Sequence, residues 1–99
     1  MILVGIRDMV RRSRLEIYFD ILDVIGRGIN KPTRIMYRTN LSWVTLKDMF
    51  ETLISGGFIK ETVEKNSQRY YITEKGQNAL GYHLKSLDGL TKVEKILSR

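Results

Sequence analysis

The chain has no cysteine and a single histidine, His83. Without thiols there is no disulfide and no thiolate nucleophile, and a Cys/His structural zinc site is excluded. Stability is therefore expected to come from packing. There is also no run of about 18 apolar residues of the kind that spans a bilayer. The opening MILVGI is too short, and too soon interrupted by Arg7 and Asp8, to read as a secretory signal. No membrane partner is expected, and a cytoplasmic location is. Acidic side chains are the scarcer sign: 11 Asp and Glu face 17 Lys and Arg, giving a formal charge of +6 and a pI near 9.8. Such a balance favours polyanionic partners, nucleic acid first among them.

What is present fits a small globular protein. Ninety-nine residues suit one domain with a modest core, and 42% apolar with 28% charged residues fits neither a disordered nor a fibrous chain. The basic excess is unevenly placed. Residues 31–47 hold Lys31, Arg34, Arg38 and Lys47 with no acid, whereas residues 15–30 carry Glu16, Asp20 and Asp23 against Arg27 alone. Residues 1–14 form a second basic block through Arg7, Arg11, Arg12 and Arg14, read either as a phosphate-tracking arm or as an ordinary solvated terminus.

Ser13 followed by Glu16 reads as a capping box opening a helix. Leu15, Tyr18, Phe19, Leu22 and Ile25 recur along it at helical spacing, with Ile17, Ile21 and Val24 as a second apolar row, up to Gly26 and Gly28. Pro32 suits the first turn of a short second helix reaching about Thr39. After Asn40, Ser42 is a good N-cap for a third helix in which Leu46, Met49, Phe50, Leu53 and Ile54 repeat until Gly56 and Gly57. FIKETV and RYYIT then read as two strands around a polar loop, Glu64 to Gln68, with Tyr70 inward and Tyr71 exposed. Thr73 caps a last helix carrying Leu80, Leu84, Leu87, Leu90, Val93 and Leu97. Gly76, Gly81 and Gly89 each cost it roughly 1 kcal/mol of helix propensity, and a break near Asp88 and Gly89 is one alternative.

The predicted fold class is therefore mainly α with a small β-hairpin: a basic arm over residues 1–12, a winged helix-turn-helix domain over 13–73, and a long C-terminal dimerisation helix over 74–99. The short link from Asn40 to Ser42 is what a helix-turn-helix needs to project its second helix into a major groove about 12 Å wide. The segment PTRIMYRTNLSWVTLKDMFETLISGGFI, followed by YYITEKG, resembles archaeal winged helix-turn-helix proteins. Within that group it is similar to the small basic chromatin-associated proteins of the Sulfolobus "ten-a" family. The resemblance implies binding of double-stranded DNA with limited sequence preference, pairing of two chains through an antiparallel coiled coil of last helices, and a nucleoid-associated location. Gly81 and Gly89 depart from an ideal coiled-coil helix.

The groove-facing candidates are Ser42, Trp43, Thr45 and Lys47, because recognition helices read bases through their N-terminal turns. Trp43 has a rival role in packing. Asp48 either accepts from a cytosine amino group or tempers local charge. Arg34 and Arg38, four apart, share a helical face suited to phosphate, as does Lys31 at its start, the alternative being a solvated face. Lys65, Asn66, Gln68 and Arg69 suit backbone or minor-groove contact by the wing, or else form an ordinary polar loop. Leu80, Leu84, Leu87, Leu90, Val93 and Leu97 are the candidate dimer interface, and a monomer with the tail folded back is the competing reading.

An enzyme is not expected. His83 has no evident nucleophilic partner, and Asp23 pairs more naturally with Arg27 at i,i+4 than with Asp20 around a cation. Neither cofactor, metal nor small-molecule ligand is predicted. The second function class that remains is a winged-helix protein-association module without DNA contact.

Overall fold

The computed structural model describes the backbone of residues 12–97 and the side chains of residues 12–86. The first eleven residues of the expected basic arm lie outside that range, as do the side chains of Leu87, Leu90, Val93 and Leu97. Four helices and a hairpin follow one another: α1 (Arg14–Gly26), α2 (Pro32–Thr39), α3 (Trp43–Ser55), β1 (Ile59–Glu64), β2 (Ser67–Ile72) and α4 (Glu74–Leu97).

Helix α1 opens on the capping box anticipated from Ser13 and Glu16. The Ser13 hydroxyl accepts from the Glu16 N–H and the Glu16 carboxylate from the Ser13 N–H, each at 3.1 Å. Its inward face buries Ile21, Leu22 and Ile25, with Ile17, Tyr18, Phe19 and Val24 packed partly against the core. Leu15 belongs to the same periodic row, yet it is 61% exposed. It sits in the first turn, at the lip of an apolar cleft formed with Tyr18, Phe19, Leu22, Thr52, Leu53, Phe58 and Ala79.

The first three helices end in the same way. Gly28, Asn40 and Gly57 take left-handed φ values of 98°, 56° and 80°, and each N–H bonds back three residues, to Ile25, Tyr37 and Ile54. The next N–H, of Ile29, Leu41 or Phe58, bonds back five, to Val24, Met36 or Leu53. This is the Schellman arrangement, and in each case the apolar residue after the left-handed one packs against the core. Chain reversal and core formation are thus one event at each corner.

Ile35, Leu46, Met49, Phe50, Leu53, Ile59 and Tyr70 complete the core. The Phe50 and Tyr70 rings stack at 4.0 Å between centroids, joining α3 to the hairpin. The Tyr70 N–H donates to the Asn30 carbonyl at 3.0 Å, which ties the strand to the link before α2. Thr39, buried in α2, donates its hydroxyl to the Ile35 carbonyl at 2.7 Å.

The hairpin departs from the polar five-residue loop predicted over Glu64–Gln68. Strand pairing continues to Glu64↔Ser67, leaving only Lys65 and Asn66 in the turn, with φ of 51° and 64°. Two left-handed central residues make a type I′ turn, whose twist suits a hairpin. Lacking the usual glycine, the sequence disguised it. Tyr71, expected to be exposed, is half-buried, and its hydroxyl donates to the Glu64 carboxylate at 2.5 Å.

Helix α4 runs unbroken through Gly81 and Gly89 over 24 residues, roughly 36 Å at 1.5 Å per residue. Thr73 caps it, accepting from the Gly76 N–H at 3.1 Å and donating to the Gly57 carbonyl at 2.6 Å. Lys75 reaches the Gly56 carbonyl at 2.7 Å, placing a cation at the negative end of α3. Leu80 packs against the core of its own chain and His83 stacks on Phe19 at 3.9 Å, whereas Leu84 is 51% exposed.

Gly76 is a packing requirement rather than a helix defect. A Cβ there falls 2.2 Å from the Phe58 carbonyl oxygen and 2.7 Å from Ile72 Cγ1, while one at Gly81 meets nothing within 4 Å. Gly76→Ala is therefore expected to lower stability by roughly 1–3 kcal/mol through overpacking, and Gly81→Ala to raise it by up to about 1 kcal/mol through helix propensity. Thermal unfolding of the two variants checks both signs.

Candidate nucleic-acid interface

The site is built on the α2–α3 corner. Lys31 caps α2 in extended conformation with Pro32 following at the first helical position, where a missing N–H costs nothing. Ile35 and Thr39 point inward, so Thr33, Arg34, Tyr37 and Arg38 face out. Tyr37 is 82% exposed and lies one turn from Arg34, beside it on the helix surface. Sequence reasoning missed it, although its spacing from Arg34 and the absence of any core role at that angle were legible.

After the Asn40 reversal, Ser42 caps α3: its Oγ accepts from the Thr45 N–H at 3.2 Å and donates to Thr45 Oγ1 at 3.0 Å. Two of the four groove-facing candidates thus spend their hydroxyls on each other. With Leu46, Met49, Phe50 and Leu53 buried, α3 presents Trp43, Val44, Lys47 and Glu51 outward, and Ile54 emerges at 37% exposure despite its place in the apolar repeat. Asp48 forms an ion pair with Arg14 at 3.0 Å, which holds the guanidinium's pKa up. The partner is 34 residues away, so Asp48 tempers charge across two helices.

The wing stands beside α3. On the side facing that helix, Glu61 and Gln68 form a cleft with Trp43, Lys47, Glu51 and Ile54, floored by Phe50 and Tyr70. Arg69 lies on the other side, in a second groove lined with Lys31, Pro32, Thr33, Ser67 and Gln68. Gln68 borders both grooves, so α2, α3 and the wing make one continuous surface. Thr62 and Tyr71 donate to the Glu64 carboxylate, and the Tyr71 bond above all lowers its pKa.

The paired cations cluster around α1. Among the described residues the ion pairs are Arg12–Asp20 at 2.7 Å, Arg14–Asp48 at 3.0 Å and Arg27–Asp23 at 3.1 Å. Every one of these cations lies on α1 or at one of its ends. None of Lys31, Arg34, Arg38, Lys47, Lys65 and Arg69 is in an ion pair among the described residues. The same residues hold no cluster of three or more His, Cys, Asp and Glu fit for a metal ion, and no helix long and apolar enough to cross a membrane.

The chain belongs to the winged helix-turn-helix family, whose model matches residues 11–94. Its structure superposes on Sso10a-2, a DNA-binding protein from Sulfolobus solfataricus, with a TM-score of 0.66 and 25% identity over 88% of this chain and 94% of that one. The likeness to the Sulfolobus family drawn from the α2–α3 segment is thereby supported by the whole fold. The homodimeric winged helix-turn-helix DNA-binding domain of Mb0332 from Mycobacterium bovis matches with a TM-score of 0.68 at 22% identity, over 77% of this chain and 71% of that one. The uncharacterized protein MJ0287 of Methanocaldococcus jannaschii is 42% identical over 67 residues, or 68% of this chain. The match spans 65% of that relative, a little under two thirds of its length.

The wing's position depends on Tyr70, whose hydroxyl donates to Glu61 at 2.5 Å while its ring stacks on Phe50. Burial, and then the Glu61 carboxylate, push its pKa well above the ordinary value. A raised folded-state pKa means the contribution is complete below the unfolded value near 10 and is lost as pH rises beyond it. Stability is expected to fall more steeply for the native chain than for Tyr70→Phe between about pH 9 and about pH 11, as read by urea unfolding.

Proposed function

We propose that this chain binds double-stranded DNA through the surface formed by α2, the first turns of α3 and the wing, as a small basic chromatin-associated or regulatory protein. The observation that carries the reading is the division of charge. Arginines on α1 are neutralised by its aspartates or by Asp48, while the cations of the helix-turn-helix and wing stand without carboxylate partners. Cations grouped on one surface outside any ion pair repel each other, and a phosphate backbone relieves that repulsion.

In this arrangement Arg34, Tyr37 and Arg38 contact phosphates, with Lys31 and Arg69 along the adjoining groove. Trp43 and Lys47 accompany the end of α3 that enters the major groove, while Ser42 and Thr45 serve by capping it. Lys65, Asn66 and Gln68 at the wing reach the neighbouring backbone or minor groove.

The protein acts as a homodimer joined through α4, placing two such surfaces on one assembly and raising affinity through effective concentration. Supporting this, α4 is continuous over Glu74–Leu97, and Leu84 is exposed where the sequence continues with Leu87, Leu90, Val93 and Leu97. Leu80 serves the chain's own core instead. In this reading residues 13–73 form the DNA-binding domain and residues 74–99 the dimerisation helix, whose first turns pack on the same chain through Leu80. A cytoplasmic, nucleoid-associated location accompanies this role.

Affinity for random duplex is expected to fall with salt at a log-log slope of about −0.9 per phosphate neutralised. Arg34→Ala with Arg38→Ala shallows that slope by about 1.8 per engaged surface, hence about 3.6 when both surfaces of the dimer hold one duplex, and weakens all sequences alike. Arg27→Ala, which removes a cation already paired on α1, leaves the slope unchanged. Fluorescence anisotropy across a salt series measures all three. A native slope near zero contradicts the reading.

A further inference from the structure

The N-terminal turn of α3 is chemically unusual for a surface that meets base edges. Its two hydroxyl side chains, Ser42 and Thr45, bond to each other, and Thr45 is half-buried. Asp48 is drawn aside by Arg14. What remains outward is largely apolar: Val44 is 78% exposed and Trp43 42% exposed, with Lys47 one turn further on. Val44 lies opposite the buried row of Leu46, Met49 and Leu53, at the most outward angle of the helix.

The major-groove edges of the bases are lined with hydrogen-bond donors and acceptors, and their one apolar group is the thymine 5-methyl. A valine isopropyl at the tip of an inserted helix has no other apolar partner there. Desolvating it against a donor or acceptor would leave that base atom unpaired, whereas a methyl loses nothing. The flanking cations, Arg34 and Arg38 on α2 and Lys47 on α3, identify the occupant of this face as polyanionic, which a hydrophobic protein surface is not.

We infer that Val44 reads thymine through its 5-methyl group, and that this contact supplies the base preference of an otherwise phosphate-driven interface. The inference rests on the proposed duplex binding. Removing the methyl exposes about one buried carbon's worth of surface, or about fourfold in affinity per contacted thymine.

The test uses the full chain and two pools of randomised duplex, each roughly 30 base pairs or about three helical turns, one made with thymidine and one with deoxyuridine. The native protein is expected to bind the thymidine pool at least about fourfold more tightly. Val44→Ser is expected to bind both pools equally, at the native protein's affinity for the uridine pool, with an unaltered circular dichroism spectrum. Loss of the methyl also alters the stiffness of A·T runs. That effect would persist in Val44→Ser, so a preference retained by the variant overturns the assignment to Val44. Equal native affinity for both pools overturns thymine reading while leaving duplex binding intact. Binding to neither pool at low salt overturns the proposed function and favours a protein partner for this face. The comparison of pools within the native protein stands even if the variant does not fold.

Discussion

The relation between α2 and α3 hangs on one backbone reversal, at Asn40. Its left-handed conformation lets the Leu41 N–H reach back to Met36 and presses both apolar side chains against the core. From that corner follow the direction of α3, the burial of Leu46 and Phe50, and through the Phe50–Tyr70 stack the placement of the wing. Left-handed backbone is costly for most side chains, and asparagine is among the few that tolerate it. The same solution at Gly28 and Gly57 shows a fold assembled from three similar corners, each exchanging helix-end carbonyls for an apolar anchor.

Upon that frame the charges divide. Asp20, Asp23 and Asp48 hold the arginines nearest to them, and the acids of the hairpin are occupied by tyrosines: Glu61 by Tyr70 and Glu64 by Tyr71. Glu51 is the exposed acid on the outward face of α3, beyond its first two turns. Residues 31–47, which form α2 and the start of α3, carry cations and no acid, whereas Glu64 of the hairpin keeps its charge near Arg69. A positive field promotes association with a polyanion and falls off with ionic strength.

Local chemistry carried much of this into the sequence. Ser13 and Glu16, Pro32, Ser42, Gly28 and Gly57 each announce a helix end by a mechanism confined to a few residues, and the order of elements could be read from them. Contacts between distant residues could not. Arg14 meets Asp48 across 34 positions, and Gly76 owes its place to the Phe58 carbonyl rather than to its own helix. The wing turn hid because Lys65 and Asn66 lack the glycine that usually marks two consecutive left-handed residues. The candidate site was legible in its cations, which need only be exposed. Its hydroxyls were not, since a serine that caps and one that reads a base are the same letter.

In the proposed complex DNA is held by the unpaired cations of α2, α3 and the wing, and not by the paired arginines of α1. Titration of the isotopically labelled full chain with a short duplex, followed by amide and arginine side-chain NMR shifts, tests this directly. Shifts are expected at Arg34, Tyr37, Arg38, Trp43, Val44, Lys47, Lys65 and Arg69, with Arg27 and the Arg14–Asp48 pair unmoved. Shifts confined to α1, or spread evenly over the surface, would contradict this reading.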